Sequence, residues 1–499
     1  MGRSGMQWEL RRKGLMLGGR IAVAGTVAAV TLGTYAGVAS AAVAPLPTMD
    51  AVSAVVGAPA VWAAGGTGQG IDVAVLDTGV TPVRGLDGPG KLVHGPDLSF
   101  DSQDPATAYL DGYGHGTAMA GIIAGNDGAG YRGVAPDARI VNVKVGASNG
   151  AVDVSQLVAG IDWVTEHARD NGMNIRVLNL SVGTDSLQPY QVDPLTHAAE
   201  NAWRKGIVVV VAVGNDGTSV KTVADPASDP FVLAVGAADP MGTVATADDA
   251  IASFSQRGTG TRHADVVAPG VSVLGLAAPQ SYLATQYPGA VIDGRLLRGS
   301  GTSQAAAVTS GAIADLLSAR PSLTPDQVKF LLMQTARTIK TASTTYIGEG
   351  QIDLAAAYAM ATPDPKKAEQ KFAYATGTGS LDQSRGTRRV SFGGVAISGE
   401  QDIFGRAWAS ASIASAEQSG TSWNGGTFNG SAWSGSAWSG AAWSGSAWSG
   451  SAWSGSAWSG SAWSGSAWSG SAWSGSAWSG SAWSGSAWSG SAWSGSSWG

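Results

Sequence analysis

Four short stretches carry residue types that together could transfer an acyl group. Ser303 lies in Gly299-Ser300-Gly301-Thr302-Ser303, a glycine-rich turn running into the alanine-rich residues 305–317. That pattern predicts a helix with Ser303 in its first turn, where unpaired N–H groups and the positive dipole end favour an anion. Alone, the segment reads first as a capped helix start, because Thr and Ser are preferred N-caps. Asp77 closes the short run 71–77 at Asp77-Thr78-Gly79, and His115 opens a small-residue helix in Gly114-His115-Gly116-Thr117. Asn215 follows the uninterrupted apolar run 207–213, in Gly214-Asn215-Asp216-Gly217. Singly these are a turn cap, a satisfied polar residue and a turn residue. Together they supply a carboxylate to orient an imidazole, an imidazole to deprotonate a hydroxyl, and an amide beside a helix start to hold an oxyanion.

The elements that must position these groups are legible as an alternation. Runs at 71–77, 140–145, 177–180 and 207–213 have the length and β-branched content of buried strands. Helical stretches at 154–169 and 194–204 lie between them. Such alternation predicts a parallel sheet covered by helices on both faces, with chemistry at the strands' carboxyl ends. Thr324-Pro325-Asp326 marks the start of a last helix running to 335, with a capping Thr and a proline at the first helical position. Gly350-Gln351-Ile352-Asp353 closes the unit.

The order Asp, His, Asn, Ser, with all four surrounding motifs, resembles the subtilisin-like serine peptidases over roughly residues 57–361. That residue order and the oxyanion Asn are known marks of the family. The resemblance implies an α/β protein with a subtilisin-like three-layer fold and a mostly parallel central sheet, followed here by a low-complexity C-terminal tail. It also implies a serine endopeptidase in which Asp77, His115 and Ser303 are catalytic and Asn215 completes the oxyanion hole. Asn179-Leu180-Ser181-Val182-Gly183 resembles the substrate-binding segment, so Ser181, Val182 and Gly183 are expected to pair with an extended peptide as an added strand. Ala212, Val213 and Gly214 would form the opposite wall of the primary pocket. Asp216 and Asp225 near it read either as a preference for basic side chains or as solvated loop carboxylates. The chain departs from the family at Ala118, usually a second histidine, and at Gln304, usually methionine. No cofactor is required; calcium, which the family often uses, has no assignable site or metal ligand in the sequence. Residues 45–70 leave no room for a folding prodomain, which many secreted members carry.

Composition narrows the remaining classes. The chain of 499 residues has no cysteine, which excludes a thiol nucleophile, disulfides and thiolate metal sites. Its net charge of -6 and the lack of a basic patch interleaved with aromatics argue against a nucleic-acid partner. Residues 1–44 combine early arginines with a mildly apolar stretch and an Ala-rich end, the pattern of a secretory signal peptide; a membrane anchor over 15–44 is the alternative. The expected product is secreted, extracellular or associated with the cell surface. Residues 45–361 form the peptidase unit, and 362–419 a linker and a small region of unknown function. Segments similar to 372–404 follow some actinobacterial peptidases of this family. From 420 to 499 no residue is charged, and Ser-Ala-Trp-Ser-Gly repeats place fourteen of the twenty tryptophans at every fifth position from Trp433 to Trp498. A period of five fits neither a strand nor a helix, so the tail is expected to be a disordered, flexible chain carrying spaced aromatic faces. Such a tail is either a spacer or a binder of cell-wall polysaccharide or of its own copies. A competing reading makes the whole chain an adhesion protein with the peptidase unit as scaffold.

Overall fold

Two short helices, α1 (Met49–Val55) and α2 (Ala58–Ala63), lead into an alternating β/α chain. The computed structural model describes residues 48–433, apart from 104–105, 341, 388, 393–394 and 425. The expected signal segment, the anchor alternative and the repeats beyond Trp433 lie outside the described residues. Strands β1 (Asp72–Asp77), β2 (Leu92–Asp97), β3 (Arg139–Lys144), β4 (Ile175–Leu180), β5 (Val208–Ala212), β6 (Leu233–Asp239), β7 (Ala250–Ile251) and β8 (Val266–Pro269) form one sheet. Its order is β2-β3-β1-β4-β5-β6-β7, with β8 also on β6. All pairs are parallel except β6–β7. Every residue of β1 and β5 is buried, as continuous apolar runs require when both faces of a sheet are covered.

The covering helices are α3 (His115–Ala124), α4 (Val154–His167), α5 (Pro194–Arg204) and a long helix over Thr302–Ala319. Helix α3 packs on the Thr302–Ala319 helix, and α4 packs on α5, giving one helical layer on each face. This is the three-layer α/β arrangement expected from the alternation. One detail departs from the usual rule. The β2-α3-β3 and β3-α4-β4 crossovers step the same way along the sheet yet use opposite faces, so they have opposite hand, whereas nearly all such crossovers are right-handed.

The chain does not leave the body at residue 361. Helix Ser410–Ser419 packs on α5, where the Glu417 carboxylate meets His197 Nδ1 and Asn201 Nδ2 donates to the Glu417 carbonyl at 2.9 Å. Arg385 reaches a buried Asp153, the N-cap of α4. Beyond it, Trp423–Asn424, Thr427–Phe428 and Ser431–Ala432 are three two-residue antiparallel strands. The Asn429-Gly430 turn between the last two has φ of 48° and 68°, the primed geometry that suits a tight hairpin. Phe428 is fully buried among Trp408, Trp423 and Trp433. Trp423 Nε1 donates to the Ala159 carbonyl of α4 at 3.0 Å.

The boundary expected at 420 therefore falls inside packed structure. Trp423 and Phe428 stand directly opposite each other on neighbouring strands, so a five-residue aromatic spacing buries its rings when each strand is two residues long. Neither the alternation of a long strand nor a helical period signals that geometry.

Candidate active site

Asp77 is the last residue of β1, at the sheet's carboxyl end, and His115 is the first residue of α3. The His115 Nδ1 lies 2.8 and 2.9 Å from the two Asp77 oxygens. A proton on Nδ1 makes that contact a donor–acceptor pair and leaves Nε2 as a base. Asp77 Oδ1 also accepts the Thr78 N–H at 2.8 Å. The two elements can approach because residue 116 is glycine. A Cβ there would sit 2.2 Å from the Gly79 carbonyl oxygen and 3.1 Å from Asp77 Cβ.

A second carboxylate, which the sequence did not single out, holds the start of α3. Asp111 accepts the N–H groups of Gly114 at 2.6 Å and Thr117 at 2.7 Å, together with the Thr78 hydroxyl at 2.8 Å. Thr78 Oγ1 in turn accepts the Gly116 N–H at 3.0 Å. The free amides of a helix N-terminus are thus satisfied by side chains from two other segments. Its only sequence signal is an acid followed by glycines four residues before a helical His. Burial pushes the Asp111 carboxyl up, partly offset by these hydrogen bonds. For His115, burial acts to lower the pKa, but the charge and hydrogen bond of Asp77, with the charge of Asp111, outweigh it and raise the imidazole above its usual 6.5.

Ser303 is the second residue of its helix, and the N-cap is Gly301 rather than a Ser or Thr. Asp77, His115 and Ser303 are 5%, 8% and 7% exposed, so all three are shielded but reachable. The Ser303 hydroxyl donates to the Ser181 carbonyl at 3.2 Å, a long bond that a rotation about χ1 would exchange for another acceptor. Asn215 Oδ1 accepts the Thr302 N–H at 2.8 Å and the Thr302 hydroxyl at 3.0 Å. An N–H can only donate, so the oxygen of the Asn215 amide must face Thr302 and its NH₂ is turned away.

Beside Ser303 opens a cavity of about 240 Å³. Ser181, Val182 and Gly183 line it, as do Ala212, Gly214, Asn215 and Asp216. Val213 does not line it, contrary to expectation. It is fully buried in the core, because successive residues of an extended chain point to opposite sides. Its carbonyl accepts the N–H of Ala224, a cavity residue. Asp225 is likewise buried, and pairs through its backbone with Thr184. Ala118 and Gln304, the two departures, meet with His115 at a second, much smaller cavity of about 10 Å³. Among the described residues there is no group of three or more His, Asp or Glu disposed to hold a metal ion.

A parallel sheet covered on both faces, with an acid–imidazole pair at one strand end and a serine at the start of a helix packed on α3, carries the residue types of a serine hydrolase. Residues 68–379 match the model of the subtilase family. The chain is similar to serine protease AprX of Bacillus subtilis (strain 168), 36% identical over 296 residues, which cover 58% of this chain and 66% of AprX. It is also similar to subtilisin Savinase of Lederbergia lenta, 36% identical over 301 residues, covering 60% of this chain and 95% of Savinase. Subtilisin E of Bacillus subtilis (strain 168) is 35% identical over 303 residues, 60% of this chain and 68% of that one. The chain belongs to the subtilase family, and it is a serine-type peptidase.

Proposed function

We propose that Ser303 attacks the carbonyl of a peptide bond in an extended protein or peptide substrate. His115 Nε2 takes the serine proton and returns it to the leaving amine, while Asp77 holds the Nδ1–H tautomer and stabilises the imidazolium. The Asn215 NH₂ and the Ser303 N–H at the helix start receive the oxyanion. The observation that carries this reading is the His115–Asp77 contact, made at the mouth of α3 with Ser303 at the start of the packed neighbouring helix. Ser181, Val182 and Gly183 on one side and Ala212 and Gly214 on the other are proposed to bind the substrate backbone and its leading side chain. Water then attacks the acyl group on Ser303 with His115 again taking a proton, which releases the acid and restores the serine hydroxyl; no cofactor enters these steps.

The test is digestion of an unfolded protein by the wild-type chain and by Ser303→Ala. The variant is expected to keep its circular dichroism and lose turnover; equal turnover in both refutes the assignment. The signal-like residues 1–44 support secretion. The charge-free tryptophan repeats beyond Trp433 are proposed to bind polysaccharide or one another, each weak contact multiplying with repeat number.

A further inference from the structure

The family match ends at residue 379, and Gln383, Ser384 and Thr387 just beyond it contact the loop that lines the cavity beside Ser303. We propose that this part of the C-terminal arm supports the substrate pocket, with Thr387 holding the Asp185 carboxylate where it selects a cationic substrate side chain. The proposal rests on the pocket assignment above. Thr184 and Asp185 line the cavity, and both are held from outside it. The Thr184 hydroxyl donates to the Ser384 carbonyl at 2.7 Å. The Thr387 N–H donates to Asp185 Oδ1 at 2.9 Å, and the Thr387 hydroxyl to Asp185 Oδ2. The Leu187 N–H donates to the Gln383 carbonyl at 3.0 Å. Between these contacts Gly386 adopts φ +61°, and a Cβ there would lie 2.3 Å from the Asp185 carbonyl oxygen, so the arm's backbone lies directly on the pocket loop.

The charge of the pocket gives the substrate class. Two acidic residues, Asp185 and Asp216, line it with the apolar Val182, Val223 and Ala224, and no Lys, Arg or His is among the described lining residues. An apolar stem ending in a cation, as in arginine or lysine, matches that lining. Asp185 is exposed, so without Thr387 its carboxylate would spread over several rotamers and its charge would no longer be fixed at the pocket. Thr387 is thus a positioning residue, acting through Asp185.

Two peptides that differ only in Arg or Phe before the scissile bond test this, with kcat and KM read separately for the full chain and its variants. Thr387→Val is expected to lower the Arg:Phe ratio of kcat/KM roughly fivefold, about the worth of one exposed hydrogen bond, and to do so through KM. Thr387→Ser is expected to restore the ratio, and Asp185→Asn to lower it at least as far as Thr387→Val. Inactivation of Thr387→Val by methanesulfonyl fluoride, a reagent too small to use the pocket, should match wild type. An unchanged ratio in Thr387→Val, or an equal loss in Thr387→Ser, overturns the proposal. A wild-type chain that methanesulfonyl fluoride does not label at Ser303 overturns the serine assignment instead.

Discussion

Replacing Arg385 by methionine tests whether the arm is integral to the peptidase body. The guanidinium and the Asp153 carboxylate are each 1% exposed, and Nε and one terminal nitrogen lie 2.7 and 3.2 Å from the two carboxylate oxygens. The same guanidinium donates to the carbonyls of Gly399 at 2.7 Å and Gln401 at 2.5 Å. Methionine keeps most of the stem volume but strands the buried carboxylate, whose remaining donors include the Ser155 N–H and hydroxyl. Removing one partner of a buried pair costs about 3–5 kcal/mol, most of it the penalty of the uncompensated charge. Adding Asp153→Asn removes that charge while keeping a good N-cap for α4, so the double variant should recover to a loss of about 1–2 kcal/mol. Urea unfolding in a Ser303→Ala background, which prevents self-digestion, measures both. Hydrogen exchange at the Leu187 amide reports whether the arm lifts locally before the body unfolds. A loss below about 1 kcal/mol for Arg385→Met, or a double variant no more stable than the single one, refutes the reasoning.

Other outcomes follow from the same geometry. Asn215→Ala is expected to lower kcat by about 10²–10³ with little change in KM, a size established for the corresponding donor in this family rather than worked from the distances here. Loss confined to KM contradicts it. In the role proposed for it His115 must be neutral to accept the serine proton, and its pKa is raised, so kcat/KM should fall as pH drops through a value above 6.5. Asp111→Asn removes one of the charges that raise it, and should move this acid limb to lower pH; an unmoved limb shows that Asp111 acts only as a cap. Truncation after Ser419 deletes the buried Trp423, Phe428 and Trp433, and should cost at least about 3 kcal/mol of stability. Truncation after Trp433 should leave stability and cleavage of a small soluble peptide unchanged, while sedimentation with insoluble polysaccharide, or self-association, is lost. Equal sedimentation of truncated and full chains, with neither self-associating, leaves the repeats as a spacer.

What could be read from the sequence was local. Asp77, His115, Asn215 and Ser303 each sit where an apolar or small-residue run begins or stops, so element ends and candidate site residues are visible together. Helix α5 has the bounds expected of it, 194–204, and the structure shows Asp193 capping its start by accepting the Leu195 N–H. Val213 was misplaced because an all-apolar run does not reveal which of its residues face inward. Asp111 was missed because its caps reach Thr78 and the first turn of α3, contacts that no periodicity encodes. The arm was hidden by distance. Arg385 and Asp153 are 232 positions apart, and Trp423 meets Ala159 across 264. The opposite hand of the two crossovers is a property of the assembled sheet, and nothing in either segment announces it.

The placement of the pocket's support after the nucleophile in the chain has a consequence in time. A ribosome adds about 5–20 residues per second, and domains fold from the N-terminus as they emerge. Asp77, His115 and Ser303 are therefore all synthesised several seconds before Ser384 and Thr387 arrive to steady the loop beside them. During that interval Asp77, His115 and Ser303 stand beside a loop that lacks its contacts to Ser384 and Thr387. A chain that stops before residue 384 would therefore hold Asp77, His115 and Ser303 without the contacts that Ser384 and Thr387 make to the pocket loop.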